Sequence, residues 1–462
     1  MKYLDLAYTK PYLMSLNPGR EMDVAILGRP EIARAFAEFG ASPALGRALD
    51  GERYDIRGLR TPARADGYDP VPENNPELPV VQFVFHLTGL TPGERVFYRV
   101  ALETADGTRV EGGIYDFRAA PEAGQPFTFA LMSDLQLFRP CDHTIHQLGR
   151  RAPDFILFAG DMINVAWHAG DWFTVPGAWQ PEKMIGMSFF DIMQRDDDGV
   201  RLMQYAPVFP CPGNHETDDN RVEGNRQWAL EFDRYSWRIY MQIWRAYYPD
   251  GEYGWHGKHW YSLDYANMHI DSLMVVRCNP WDPYEAPGTI LRGGEPGPDT
   301  PQGRWLAEDL RASKSRFKWV VMHWHMMNRG DDTQPLLCQP APDPADPARV
   351  IYPVDNAGRF LHPLFAETGV CAVNYGHSHV YERYLIDGVN YIEAAYMGVK
   401  YGKPDGQVNP SGVYPVNQQH DFRSYLIVSC DGEHLRARAY QASVEPNGYG
   451  YEGRVFDCFD IR

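Results

Sequence analysis

The sequence predicts an α/β region preceded by an all-β region. Three observations predict it. Short β-branched and aromatic runs, punctuated by turn residues, fill positions 23–120. Beyond them, apolar strand-like runs alternate with helix-like stretches. Five of those later runs stop at a cluster of Asp, Asn or His rather than at an ordinary turn.

At 462 residues the chain is too long for one ordinary core, and its 44% hydrophobic and 13% aromatic content suits more than one filled core. The balance of 44 basic and 61 acidic residues gives a net charge of −17. Such a surface repels nucleic acid and anionic membrane, so neither is expected as a partner, and a phosphate-bearing ligand needs a local positive centre. The seven cysteines form no C-x-x-C pair, which argues against a disulfide framework and a thiolate zinc site. Tyr, Asp, Thr and Pro interrupt Met1–Leu16, so it does not read as a signal peptide, and no apolar run is long enough to span a bilayer. The expected compartment is the cytoplasm if this N-terminus is native, and the periplasm or exterior if an export signal has been removed.

Residues 1–20 read as an extension with a turn at Asn17-Pro18-Gly19, and 21–121 as a β-sandwich. Its clearest strands are Val80–Leu87 and Val96–Leu102, separated by the turn Leu90-Thr91-Pro92-Gly93-Glu94, and then Ile114–Arg118. Pro121–Pro126 reads as a linker, 126–441 as the second, α/β domain and 442–462 as a tail.

The strand Phe127–Met132 ends in Ser133-Asp134-Leu135-Gln136, and Phe155–Ala159 ends in Gly160-Asp161-Met162-Ile163-Asn164. A helical stretch, His143 to Arg151, lies between them, as in a β-α-β unit. Pro207–Pro210 leads into Cys211-Pro212-Gly213-Asn214-His215-Glu216. Phe317–Met322 ends in His323-Trp324-His325, and Val370–Tyr375 ends in Gly376-His377-Ser378-His379. Polar groups at the ends of buried strands are costly unless something satisfies them. One such His is usually structural. Carboxylate, amide and imidazole donors at five strand ends together point to metal. The Trp-, Phe- and Met-rich insert 167–198 reads as an active-site wall or a surface subdomain.

Asp134, Gly160-Asp161, Gly213-Asn214-His215-Glu216, Val320-x-x-His323 and Gly376-His377-x-His379 together resemble the calcineurin-like metallophosphoesterase superfamily. With the β-region in front they look most like its purple acid phosphatase branch. The stretch Leu87–Val100 is similar to the fibronectin type III-like lead domain of some phosphatases. The resemblance implies a four-layer fold, two β-sheets packed face to face and flanked by helices, with two divalent metal ions (Mn, Fe or Zn) at one edge. Asp134 and His379 would belong to the first metal, Asp161 would bridge, and Asn214, His323 and His377 would belong to the second. His215 would contact the substrate phosphate and protonate the leaving group, with Glu216 orienting it. His325 is a further candidate for substrate contact or proton transfer, whereas His168, Arg329 and Arg383 read more naturally as structural. The sequence departs from the branch at Asn164, where purple acid phosphatases carry the coloured Tyr ligand, and at Gln136, where other branches carry His. Either amide is a candidate extra ligand, and a neutral oxygen there implies a colourless enzyme.

The function expected is hydrolysis of a small phosphate ester, foremost a monoester, by a metal-activated water. A phosphodiesterase on cyclic nucleotides or glycerophosphodiesters, and a silent metal- or phosphate-binding protein, are the alternatives. Oligomeric state is left open.

Overall fold

The computed structural model describes residues 1–61, 74–137, 141–175, 187–195, 200–217, 238–248, 259–275, 297–324, 341–343, 346–351, 357–393, 415–419, 422–443 and 453–461. Its front part holds β1 (Tyr12–Met14), β2 (Glu21–Gly28), β3 (Ile32–Gly40), β4 (Arg47–Asp50), β5 (Glu52–Ile56), β6 (Val80–Thr88), β7 (Arg95–Thr104), β8 (Arg109–Glu111) and β9 (Tyr115–Arg118). These make a sheet ordered β1-β2-β6-β5 and a second ordered β4-β3-β7-β8, with β9 also pairing β7. Alternation does the work expected of it. Met22, Val24 and Ile26 of β2, with Phe83 and Phe85 of β6, meet Ala37, Phe39, Tyr98 and Val100 in one core.

The intervening residues of the same strands face the other way and are also buried. Tyr12, Ala25, Leu27, Val80 and Val84 join the core of the second part of the chain. Gln82, fully buried among them, donates from Nε2 to Tyr12 Oη at 2.8 Å and to the Ile243 carbonyl at 2.9 Å. The first 20 residues, expected to be an extension, thus supply the edge strand β1, paired antiparallel to β2. Three residues are too short a run for periodicity to reveal.

The second part contributes β10 (Phe127–Met132), β11 (Phe155–Ala159), β12 (Val208–Cys211), β13 (Tyr261–Tyr265), β14 (Met268–Ser272), β15 (Phe317–Val321), β16 (Ala341–Asp343) and β17 (Asp346–Ile351). It continues with β18 (Ala372–Tyr375), β19 (Tyr381–Ile386), β20 (Val389–Glu393), β21 (Asn417–Gln419), β22 (Ser424–Cys430), β23 (Leu435–Gln441) and β24 (Arg454–Ile461). One sheet runs β12-β11-β10-β22-β23-β24 and the other β13-β14-β15-β18-β20-β19-β21. β24, expected to lie in a tail, closes the edge of the first sheet on β23.

Aromatic side chains fill the space between these sheets. Phe129 meets Trp319 edge-on at 5.1 Å, and Phe155 and Phe209 meet Tyr265 at 4.3 and 6.5 Å. Helix Cys141–Gly149 buries Ile145 and Leu148 in the first sheet's core. Leu306 and Leu310 of helix Pro301–Ala312 join Val320 and Val373 on the outer face of the second. The result is four layers, the expected arrangement, with the all-β part in front. The described parts of the insert 167–198 pack Trp172, Phe189 and Phe190 into the shared core near Tyr12, not as a surface subdomain.

β10, β11 and β12 are parallel, as are β14, β15, β18 and β20. Their carboxyl ends are where five polar clusters emerge, and crevices outside such ends are where α/β sheets bind ligands.

Candidate metal centre

Three of the five clusters leave their strands through sharp turns. Asp134, Gln136, Asp161, His377 and His379 all have positive φ, 51°, 40°, 57°, 81° and 58°. Non-glycine residues adopt that conformation at a cost, and they do so where surrounding structure over-determines it. Glycines make the crowding possible. A Cβ on Gly213 would collide with the Asp161 carboxylate, and one on Gly376 with that of Asp134.

The turns converge on one buried polar cluster. Donor atoms of Asp161, His323 and His377 lie within 4.8 Å of one another, and so do those of Asp134, Asp161 and His379. Asp161 is common to both groups. Asn214 Oδ1 stands 2.9 Å from His323 Nε2 and 2.9 Å from His377 Nδ1, completing the first-named set. His323 Nδ1 donates to the Ala159 carbonyl at 2.7 Å, which fixes the tautomer and leaves Nε2 as the donor atom facing Asp161, 3.3 Å from its Oδ1. Trp324 stacks on the His377 ring with centroids 4.0 Å apart. On the other side His379 Nε2 lies 3.3 Å from Asp134 Oδ1, and the His377 backbone N–H donates to the same carboxylate at 3.0 and 3.1 Å.

These donors fit metal. Two sets of oxygen and imidazole nitrogen atoms share a central carboxylate, and such donors suit divalent first-row ions. Electrostatics agrees. Burial would raise Asp161, but the neighbouring His323 and His215 outweigh it and hold the carboxyl well below its usual range. Burial would likewise lower His323, and the Asp161 carboxylate reverses this and pushes it up to about 9. The cluster gathers protons where a cation would discharge it.

His215 comes to the same place with a different attachment. Its backbone N–H donates to Asp161 Oδ1 at 2.9 Å, while its Nδ1–H donates to the Asn164 carbonyl at 2.8 Å. Nε2 is then left 3.7 Å from Asp161 Oδ2.

Glu216, expected to orient His215, spends its carboxylate on the backbone. Its fully buried carboxylate accepts from four backbone N–H groups, Gly213 (2.7 Å), Asp161 (2.8 Å), Met162 (2.8 Å) and Ile163 (3.4 Å). It rivets the turn after β12 to the turn after β11. Burial, reinforced by the Asp161 charge, pushes its carboxyl up to about 7.

Gln136, expected as a possible oxygen ligand, presents its amide nitrogen instead and donates to Asp161 Oδ2 at 2.8 Å. Asn164 Oδ1 is buried and makes no hydrogen bond. Asn164 itself is held by a network the sequence did not reveal. Its N–H and that of Val165 donate to Asp171 Oδ2 at 3.1 and 2.9 Å, and Asp171 Oδ1 pairs with His168 Nδ1 at 2.6 Å. The loop is also braced from the front part, where the Arg60 N–H donates to the Trp167 carbonyl (2.8 Å) and the Ala169 N–H to that of Arg60 (2.9 Å). Arg383, expected in a surface salt bridge, pairs with Asp457 at 2.9 Å in a buried one. His325 and Arg329 lie outside the described residues.

The sequence profile of the calcineurin-like phosphoesterase family matches residues 127–381. Among curated protein sequences none is significantly similar to the chain. Among solved structures, purple acid phosphatase PPD1 from yellow lupin (Lupinus luteus) seeds superposes with a TM-score of 0.58 at 16% identity, over 98% of this chain and 73% of that one. PhoD superposes with a TM-score of 0.62 at 12% identity, over 98% of this chain and 90% of that one. Both are likenesses of fold. Among the described residues no helix is long and apolar enough to cross a membrane.

Proposed function

The chain belongs to the calcineurin-like phosphoesterase family and is a metal-dependent phosphoric ester hydrolase, and from that premise we propose that it is a phosphomonoesterase with a dinuclear centre. The observation that carries the proposal is the position of Asp161 in both donor groups. Asp134 and His379 would hold one ion, Asn214, His323 and His377 the other, and Asp161 would bridge. A divalent pair held this way supplies an acidified water and a positive clamp for phosphoryl oxygens. The clamp is also the local positive centre that a net charge of −17 demands of a phosphate site.

The remaining work falls to the protein's own groups. Because His215 Nδ1–H is committed to the Asn164 carbonyl, the second proton of the imidazolium sits on Nε2, at the cluster's edge. That proton is placed to go to the leaving alkoxide, which needs it most in a monoester of a poor leaving group. Glu216 keeps the two turns, and hence His215 and Asp161, in register. Gln136 steadies the free side of Asp161.

The test is a panel of phosphate esters with added Mn²⁺. p-Nitrophenyl phosphate should be turned over faster than bis-p-nitrophenyl phosphate, and the reverse order would make the enzyme a diesterase. His215→Ala should lower kcat for alkyl phosphates by about 10²–10⁴, with bound metal unchanged. Wild type and His215→Ala equally inert across the panel would overturn the catalytic reading and leave a binding protein.

A further inference from the structure

A second group of metal-type donors lies away from the centre, between β14 and helix Pro301–Ala312. Donor atoms of His269, Asp271 and Asp309 lie within 4.8 Å of one another. His269 Nε2 is 3.6 Å from Asp271 Oδ2 and 3.6 Å from Asp309 Oδ2. The first two residues stand at alternate positions of one strand and so share a face, and the third comes down from the last turns of the helix above it.

Asp271 makes this more than a surface carboxylate cluster. It is fully buried, and neither of its carboxylate oxygens has a hydrogen-bond partner. A buried carboxylate left so is one of the costliest features a fold can carry. Burial would lower the His269 imidazole, but the Asp264 and Asp309 carboxylates beside it push it up to about 10, and at 3.6 Å from Asp271 Oδ2 it faces that carboxylate without a hydrogen bond. Lys318, opposite His269 in the β14–β15 register, spends its ammonium on the Leu310 and Thr368 carbonyls at 2.6 and 2.9 Å.

His269 is oriented as metal-binding imidazoles are. Its Nδ1 donates to Asp264 Oδ1 at 2.9 Å, and Ser315 Oγ donates to that same oxygen at 3.2 Å. The carboxylate fixes the tautomer, and Nε2 is left facing Asp271 and Asp309. A carboxylate–imidazole–metal relay has this form, and His323 makes its counterpart through the Ala159 carbonyl. Burial pushes the Asp271 carboxyl up to about 8 against the pull of His269, and the charge of Asp309 adds to the rise. A bound cation would relieve all three.

We propose that His269 Nε2, Asp271 and Asp309 form a separate structural site for a divalent first-row ion of the zinc class, which fastens helix Pro301–Ala312 to β14. One nitrogen and two carboxylate oxygens make a tetrahedral or five-coordinate shell with water, whereas calcium and magnesium prefer oxygen alone. The site takes no part in catalysis, so its test is independent of the phosphatase reading.

Chelator-stripped full-length protein is reloaded with Zn²⁺ alone, freed of excess, and its metal counted by mass spectrometry. Wild type should retain one equivalent more than Asp309→Asn or Asp271→Asn. Asp309→Asn should keep the wild-type turnover of p-nitrophenyl phosphate when reloaded, and its Tm should rise less with Zn²⁺. Equal metal content in wild type and Asp309→Asn would overturn the proposal. Asp309 is a quarter exposed on a helix surface, so that comparison survives if Asp271→Asn fails to fold. Anomalous diffraction at the zinc edge should give a peak between His269 and Asp271, and no peak from zinc-saturated crystals would also overturn it.

Discussion

The two flanks of the metal centre are built to different standards. On the flank of Asn214, His323 and His377, the side chains converge to 2.9 Å and the rings are locked from behind, His323 by the Ala159 carbonyl and His377 by Trp324. On the flank of Asp134 and His379, among the described residues, two side chains besides Asp161 supply donors. Gln136 points a nitrogen at Asp161, and the Asn164 oxygen is buried without a hydrogen bond. The difference teaches where the fold spends its rigidity. Both flanks stand at the carboxyl ends of parallel strands, and what differs is the loop after β11, which carries Asn164 and is braced from the front β-part through Arg60.

The largest effect should come from removing what the flanks share. Asp161→Ala takes a donor from both sets and the acceptor for the His215 N–H. We expect kcat to fall by about 10⁴-fold or more, given several kcal/mol of charge stabilisation from bound metal, with metal lost from both flanks. His379→Ala should cost metal on one flank only. If Asp161→Ala removed no more metal than His379→Ala, the shared-carboxylate arrangement would be wrong.

A smaller effect separates the flanks without mutation. Chelated protein should lose thermal stability as pH rises from about 5 to 9. Glu216 at about 7, above its usual 4.5, keeps its proton in the fold and has lost it in the unfolded chain, so folding takes up protons between those values. His323, raised from 6.5 to about 9, adds stability that is complete below 6.5 and disappears as pH climbs through 9. Glu216 belongs to the turn that carries Asn214, and His323 faces Asp161 from the end of β15. Bound metal discharges the same cluster, so the metal-loaded protein should show a flatter Tm profile. A metal-free Tm that rises across this range would contradict that electrostatic picture.

How much of this could be read from the sequence follows from the same geometry. The five strand-end clusters were legible because each pairs a strand run with donors shortly beyond it, three of them across a glycine that close approach requires, at Gly160, Gly213 and Gly376. The four-layer fold was implied by the family resemblance those clusters carry, and the front β-part by short runs such as Val80–Leu87. The role of Glu216 was not legible, since its partners are backbone N–H groups of another turn and leave no mark on side-chain identity. Asp171 was hidden for the same reason. The His269–Asp271–Asp309 group joins a strand to a helix 38 residues further on, and only packing brings them together.

The smallest effect tests the weaker flank directly. If Asn164 lies beside the first metal, Asn164→Tyr loaded with iron(III) should gain a visible phenolate charge-transfer band that the wild type, with a neutral amide there, lacks. A larger ring in this half-buried loop should cost about 1–3 kcal/mol of stability through overpacking. Asn164→Asp keeps the volume, supplies a charged oxygen, and should tighten metal on that flank with no band. The His215–Asn164 contact uses the backbone carbonyl, so neither change removes it. A Tyr variant that folds, binds iron and stays colourless would place Asn164 outside the coordination shell and leave water as the missing ligand.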